Sequence, residues 1–215
     1  MKNMTKSLLA AAVMAATSTA AMAGASANVG MVSDYHFRGI DQGTGATASA
    51  GLDYDVNGLY VGTWIADVGT GAEYDLYAGY AGEVSGFSYD VGYFTYNYTN
   101  DVFDDTYAEA ALTAGYGPVS ASYAVGTYEN YGTKLDYTFA SVTAEFKGMY
   151  ATLGSHGEDF DGTYIEVGYG TKIGGFDTSV AIISADDTLQ PTLDNDGDTV
   201  GDMSVVFSVS KSFDL

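Results

Sequence analysis

Apolar and polar residues alternate with a period of two along most of this chain, the spacing of strands whose two faces meet different surroundings. Between Ala48 and Val56, the residues Ala48, Ala50, Leu52, Tyr54 and Val56 fall on one face, and Ser49, Gly51, Asp53 and Asp55 on the other. Asn57-Gly58 follows, a strong hairpin signal. A two-residue turn there sets Val56 opposite Leu59, and Leu59, Val61, Thr63 and Ile65 continue the apolar side. The same test succeeds at Ser85-Gly86, Gly117-Pro118, Ala140-Ser141 and Gly174-Gly175, which pair Val84 with Phe87, Tyr116 with Val119, Phe139 with Val142 and Ile173 with Phe176. A slip of one residue would invert the faces. The turns therefore predict a run of hairpins with one continuous apolar face. Two more strands, roughly Asn28 to Phe37 and Met203 to Phe213, flank the set and bring the expected count to about 12.

The two faces differ sharply in charge. The apolar face includes Leu76, Tyr80, Val91, Leu112, Tyr123, Tyr137, Phe146, Val167 and Val180, and the turn-linked strands place no charge on it. The opposite face carries Asp53, Asp55, Glu73, Asp75, Glu83, Asp90, Glu109, Lys134, Asp136, Glu145, Lys147, Glu166, Lys172 and Asp177. Lys211 on the last strand is the exception, near the chain end where a lysine can snorkel. A soluble sandwich also alternates, but its polar face meets bulk water and is rich in long charged side chains, whereas this one is Gly, Tyr and Asp. Connections alternate too. Two-residue turns at one end face longer segments at the other, about Gly39–Ala46, Ala66–Ala72, Tyr98–Thr106, Tyr128–Thr133, Gly154–Gly162 and Ser184–Asp202. The pattern predicts an all-β fold, a single antiparallel transmembrane β-barrel with short periplasmic turns and longer extracellular loops. Tyr80, Phe87, Tyr116, Phe139, Phe176 and Phe213 should face outward near the short turns as an aromatic girdle. The alternation of Val209, Lys211, Phe213 and Leu215 looks like a terminal strand read by the barrel assembly machinery.

Composition narrows the chemistry. Seven Lys and Arg stand against 28 Asp and Glu, a formal charge of −21, which argues against nucleic acid as a partner. There is no cysteine and there are only two histidines, so disulfides, thiolate metal sites, a Cys nucleophile and a His-rich metal cage are excluded. Residues 1–23 have the layout of a secretory signal peptide: Lys2 and Lys6, an apolar run from Leu8 to Ala16, and a small-x-small site at Ala21-Met22-Ala23. Residues 24–215 would then form the barrel, exported to the outer membrane of a Gram-negative bacterium.

The segment Ser33-Asp34-Tyr35-His36-Phe37-Arg38-Gly39-Ile40-Asp41-Gln42 resembles the S-D-Y-x-F-R-G-x-S-Q signature of the TorF family of porin-like proteins. Gly51-Leu52-Asp53-Tyr54, Gly58 to Trp64, Glu73 to Tyr80 and Gly86 to Tyr93 extend the resemblance, which is dense over residues 28–98. Asp41 departs from it, standing where the family usually shows Ser. The resemblance implies an outer-membrane barrel of porin function and supplies no catalytic residues.

A Ser-His-Asp triad needs a histidine, and only His36 and His156 exist. His36 should face the lumen beside Asp34 and Arg38; His156 should sit in a loop with Glu158, Asp159 and Asp161, a solvated acidic cluster. No enzyme and no cofactor are expected. Asp194, Asp196 and Asp198 alternate like the first half of an EF-hand loop, without the closing Glu. They suggest a weak surface Ca²⁺ site, which could bridge to lipopolysaccharide. Arg38 is the chain's only arginine, expected either in a lumenal ion pair that fixes the first loop or as an anion-binding point. The expected pore lining is Asp34, Arg38, Asp53, Asp55, Glu73, Asp75, Asp90, Glu109, Lys134, Asp136, Glu145, Lys147, Glu166 and Asp177. Its acidic excess predicts a cation-preferring channel for small solutes, with outer-membrane lipid around it. Inward Tyr60, Trp64, Tyr77, Phe94, Tyr96, Tyr107 and Tyr164 could instead fill the lumen and make a plugged, structural barrel. Inward glycines such as Gly62, Gly126 and Gly168 would either leave a channel or accept those rings.

Overall fold

The structure is a computed structural model that describes residues 24–99, 106–130, 132–193 and 198–215. The expected signal segment therefore lies outside the described residues. In chain order the strands are β1 (Gly24–Val32), β2 (His36–Phe37), β3 (Ile40–Asp41), β4 (Thr47–Val56), β5 (Leu59–Asp67), β6 (Ala72–Val84), β7 (Phe87–Tyr98) and β8 (Tyr107–Tyr116). They continue with β9 (Val119–Asn130), β10 (Thr133–Phe146), β11 (Met149–Glu158), β12 (Gly162–Ile173), β13 (Phe176–Ala185), β14 (Thr192–Leu193), β15 (Thr199–Val200) and β16 (Met203–Asp214). Twelve of them close into one antiparallel barrel; β2–β3 and β14–β15 are small hairpins within two of the connections. β16 returns to pair with β1, Ala27 opposite Phe213 and Met31 opposite Val209, so the sheet keeps no open edge.

Four of the five expected turns are where the sequence puts them. Asn57-Gly58, Ser85-Gly86 and Gly174-Gly175 have positive φ at both residues, as a type I′ turn needs, and Gly117 supplies positive φ ahead of Pro118. The fifth differs. β10 runs unbroken through Ala140 and Ser141, and the chain reverses at Lys147-Gly148, where φ is 52° and 84°. Neither Ala nor Ser favours φ > 0, whereas Gly148 adopts it freely. The strand count is preserved because one hairpin has slid along the chain.

That slide has consequences for the faces. Tyr137 and Phe139, expected outside, are buried inside the barrel. Lys134 and Asp136, expected inside, take the outward parity at the loop end and are exposed. Lys147 leaves the wall for the turn and sits over the Phe146 ring at 5.2 Å. Phe146, not Phe139, joins Tyr80, Phe87, Tyr116, Phe176 and Phe213 on the outer wall at the turn end. Lys211 lies across Phe176 and Phe213 at 5.1 and 5.4 Å.

The outer wall is otherwise a belt of exposed aliphatic side chains. Leu52, Val61, Leu76, Val91, Leu112, Val142, Ile165, Val167, Ile182 and Val205 each leave about half their surface open. Water would not tolerate so continuous an apolar surface; hydrocarbon would.

Candidate functional site

The first strand is shorter than the alternation suggests. β1 ends at Val32, and the chain then folds into the lumen instead of continuing up the wall. The cause is Arg38-Gly39, a further left-handed pair (φ 50° and 85°), which turns β2 back onto β3. A Cβ on Gly39 would fall 2.4 Å from the Tyr164 ring, so the tip of this hairpin can be seated against β12 only because residue 39 is glycine. The tip carries Arg38 into the barrel, where its two terminal nitrogens donate to both Glu109 oxygens at 2.8 and 2.7 Å. Arg38 is 5% exposed and Glu109 2%. Arg38 thus fixes the first loop as one sequence reading expected, but through Glu109 on β8 and not through Asp34.

The pair is enclosed from all sides. The Tyr96 and Tyr137 hydroxyls donate to Glu109 at 3.0 and 2.9 Å. The guanidinium lies 4.2 Å over Phe139 and 4.9 Å from Phe37. Nε2 of His156 contacts the Arg38 carbonyl at 2.9 Å. His156 is therefore a buried lumenal residue of β11, not a member of a solvated loop. Farther round, Tyr35 of the first loop donates to Glu73 at 2.6 Å and its ring lies 6.0 Å from that of Trp64.

A rule emerges inside the wall: carboxylates are satisfied by tyrosines. Besides Glu73 and Glu109, Glu166 accepts from Tyr150 at 2.5 Å, Asp90 from Tyr60 at 3.0 Å, and Asp53 from Tyr77. Each acceptor so paired avoids the roughly 1–3 kcal/mol cost of being left unpaired; buried Asp75 is the exception, with its Oδ1 unpartnered. Glycines make room. A Cβ on Gly168 would fall 2.4 Å from the Tyr150 ring, and one on Gly126 2.4 Å from that of Tyr137. Gly62, Gly126 and Gly168 accept rings, whereas Gly51 faces Asn28 and Gly115 faces Ser88. Two aromatic clusters result, one around Tyr60, Tyr77, Phe94 and Tyr96, the other around Phe139, Tyr150 and Tyr164.

The lumen has two unlike halves. At the loop end Glu73, Asp75, Glu109 and Glu166 are buried under the first loop. At the turn end Glu83, Glu145 and Lys172 are exposed, and Lys172 pairs with Asp177 at 2.7 Å. Asp53, Asp55 and Asp90 lie between, partly covered. Asp34 sits below the hairpin, 3.2 Å from His36. A cavity of about 50 Å³ remains beside it, lined among others by Asp34, His36, Tyr150, Glu166 and Ser208. A larger concavity of about 560 Å³ lies on the wall between β7 and β10, lined by outward residues such as Ala108, Ala110, Val125 and Thr138. Of the suggested Ca²⁺ ligands, Asp194 and Asp196 lie outside the described residues; Asp198 is described. The hairpin plug and pairs such as Tyr60–Asp90 and Tyr137–Glu109 were beyond sequence reading, because they join strands that are not neighbours in the sheet.

A family profile described as bacterial proteins of unknown function (Gcw_chp) matches residues 15–213. Comparison with curated proteins finds no match. Similar solved structures include Pseudomonas aeruginosa OccK1 (OpdK), with 11% identity and a TM-score of 0.42 over 82% of this chain and 59% of that one. Acinetobacter baumannii OccAB3 has 11% identity and a TM-score of 0.42 over 87% and 60%. A BenF-like porin from Pseudomonas fluorescens Pf-5 has 10% identity and a TM-score of 0.39 over 86% and 59%. The chain spans about three fifths of the length of these structures.

Proposed function

This chain belongs to the Gcw_chp family of bacterial proteins, and we propose that it works as an outer-membrane barrel whose acidic lumen is closed at the loop end by its own first loop and passes small cationic solutes when that loop withdraws. The turns face the periplasm and the loops the lipopolysaccharide side. Insertion falls to the barrel assembly machinery that reads the last strand. The porin-like resemblance of residues 33–42 to the TorF family agrees with this reading.

The observation that carries it is the inner wall itself. Carboxylates run from Glu145 and Glu83 at the turn end to Glu73, Asp75 and Glu109 at the loop end, and the segment 33–46 with its hairpin covers the loop-end members. A lumen that served only as filler would be cheaper to build from apolar side chains, since burying charge is costly. Acid rings attract cations, and a low-dielectric wall focuses their field. A second reading, a permanently plugged structural barrel, is favoured by the two aromatic clusters.

Planar-bilayer recording separates them. The wild type should show low conductance, and a variant with residues 36–41 replaced by a Gly-Ser linker should open and give a cation-directed reversal potential in a salt gradient. Asp75→Asn with Asp90→Asn should weaken that preference. A folded loop variant that stays silent, or one that prefers anions, establishes the plugged barrel instead. Membrane placement has its own check: Leu112→Arg on the outer wall should block assembly, at about 2–4 kcal/mol for a charge near the bilayer midplane, whereas Thr113→Arg should assemble.

A further inference from the structure

The base of the first-loop hairpin gathers three metal-ligating side chains outside the Arg38–Glu109 pair. The reason is local. The turn at Arg38-Gly39 sets the register of β2 on β3, so His36 stands directly opposite Asp41, and directly opposed residues share one side of a hairpin with Cβ atoms about 5 Å apart. Asp34, two residues before His36, falls on the same side. One ligating atom from each of Asp34, His36 and Asp41 lies within 4.8 Å of the others.

Two further features point to an ion. His36 is 5% exposed, and its Nδ1 is buried without a hydrogen-bond partner. With Nε2 turned to Asp34, an ion held there would leave Nδ1 to donate to a water in the adjoining cavity, the partner it lacks among the protein atoms. Second, Nε2 of His36 and Oδ2 of Asp34 are 3.2 Å apart. That suits a hydrogen bond, and it also matches the ~3.3 Å between neighbouring ligands of a tetrahedral ion with bonds of about 2.0 Å. The adjoining cavity of about 50 Å³, which Asp34, His36 and Glu166 help to line, has room for a completing water.

We propose that Asp34, His36 and Asp41 form a binding site for a borderline divalent cation of the zinc class, held by one imidazole and two carboxylates. Imidazole selects against Ca²⁺ and Mg²⁺, which take oxygen ligands, and the absence of thiolate selects against soft ions. The ion clips the two strands of the hairpin at its base and so reinforces the seating of Arg38 at its tip. The site does not depend on whether the barrel conducts, because it is read by binding.

The test uses the full barrel refolded in detergent micelles, stripped with chelator and titrated calorimetrically with ZnCl₂. We expect one Zn²⁺ per chain, with affinity lowered at least about tenfold in His36→Gln and in Asp41→Asn but unchanged in Asp187→Asn. Heat-modifiable migration confirms that each variant is folded. The X-ray absorption spectrum of the wild-type zinc complex should show one imidazole with oxygen ligands, and this readout stands even if a variant fails to fold. Binding that is indifferent to His36→Gln and Asp41→Asn, a spectrum without imidazole, or no uptake by the folded wild type overturns the proposal.

Discussion

The two ends of the lumen solve the same problem in opposite ways. Both carry inward acids: Glu73 at the loop end and Glu83 at the turn end of β6, Glu109 at the loop end of β8 and Glu145 at the turn end of β10. At the turn end these side chains are left to water. At the loop end they are buried, and each described partner is a tyrosine hydroxyl or the single arginine. The difference lies in what covers them. Two-residue turns are too short to reach inward, whereas the connection after β1 is long enough to build a hairpin of its own. One wall chemistry thus gives exposed acids at the turn end and covered ones at the loop end, depending on loop length.

Glu109→Gln against Glu145→Gln is the most severe way to break that contrast. The first leaves Arg38 buried without its counter-charge and should cost about 3–5 kcal/mol of unfolding stability. The second should stay within about 0.5 kcal/mol. Urea titration of the folded barrel measures both, and equal losses would mean that the loop-end acids are not covered. Tyr150→Phe comes next. It removes the donor to buried Glu166 and should cost about 1–3 kcal/mol, while Lys172→Met, which removes an exposed pair with Asp177, should change stability by about 1 kcal/mol or less. Gly148→Ala should cost about 1–2 kcal/mol, since φ at 148 is 84°. Ser141→Ala should be close to neutral, because Ser141 lies within β10; a reversed order would restore the turn at Ala140-Ser141. The smallest effect is expected at Asp186, outside the wall, which accepts from the Thr163 amide and hydroxyl at 2.7 Å and from the Leu189 amide. Slight desolvation pushes its carboxyl up, but these bonds outweigh it and hold it below the usual range. Its contribution is therefore present above the ordinary aspartate pKa and fades as pH falls through the lowered value. Asp186→Asn should flatten the acid limb of a stability–pH curve measured below pH ~4.

Much of the wall was legible because period two and turn chemistry report local backbone. Leu112 out and Glu109 in follow from parity alone. The error at Ala140-Ser141 shows the limit. Val142, Ala144 and Phe146 keep the outward parity under either turn, so the apolar face could not tell the two apart; only the φ preference of Gly148 could, and Lys-Gly is a weaker signal than Asn-Gly. The end of β1 was hidden for a similar reason. Tyr35 and Phe37 continue the alternation, while Arg38-Gly39 looks like part of a loop and is in fact the turn that sends them inward. Pairings such as Tyr150 with Glu166 could have been proposed from β11–β12 register once the Lys147-Gly148 turn was known. The Arg38–Glu109 contact spans residues 71 apart in sequence, and no local pattern encodes it.

Trp64 faces the lumen with its ring 6.0 Å from that of Tyr35, at the foot of the first loop, and it is the chain's only tryptophan. The barrel therefore carries its own optical reporter. Emission from one indole records the position of the hairpin without any attached dye. A seated loop gives a shielded, blue-shifted spectrum with tyrosine close enough to transfer excitation, and a withdrawn loop gives a red-shifted one open to aqueous quenchers. The same cuvette can follow the loop in micelles, in vesicles and during refolding.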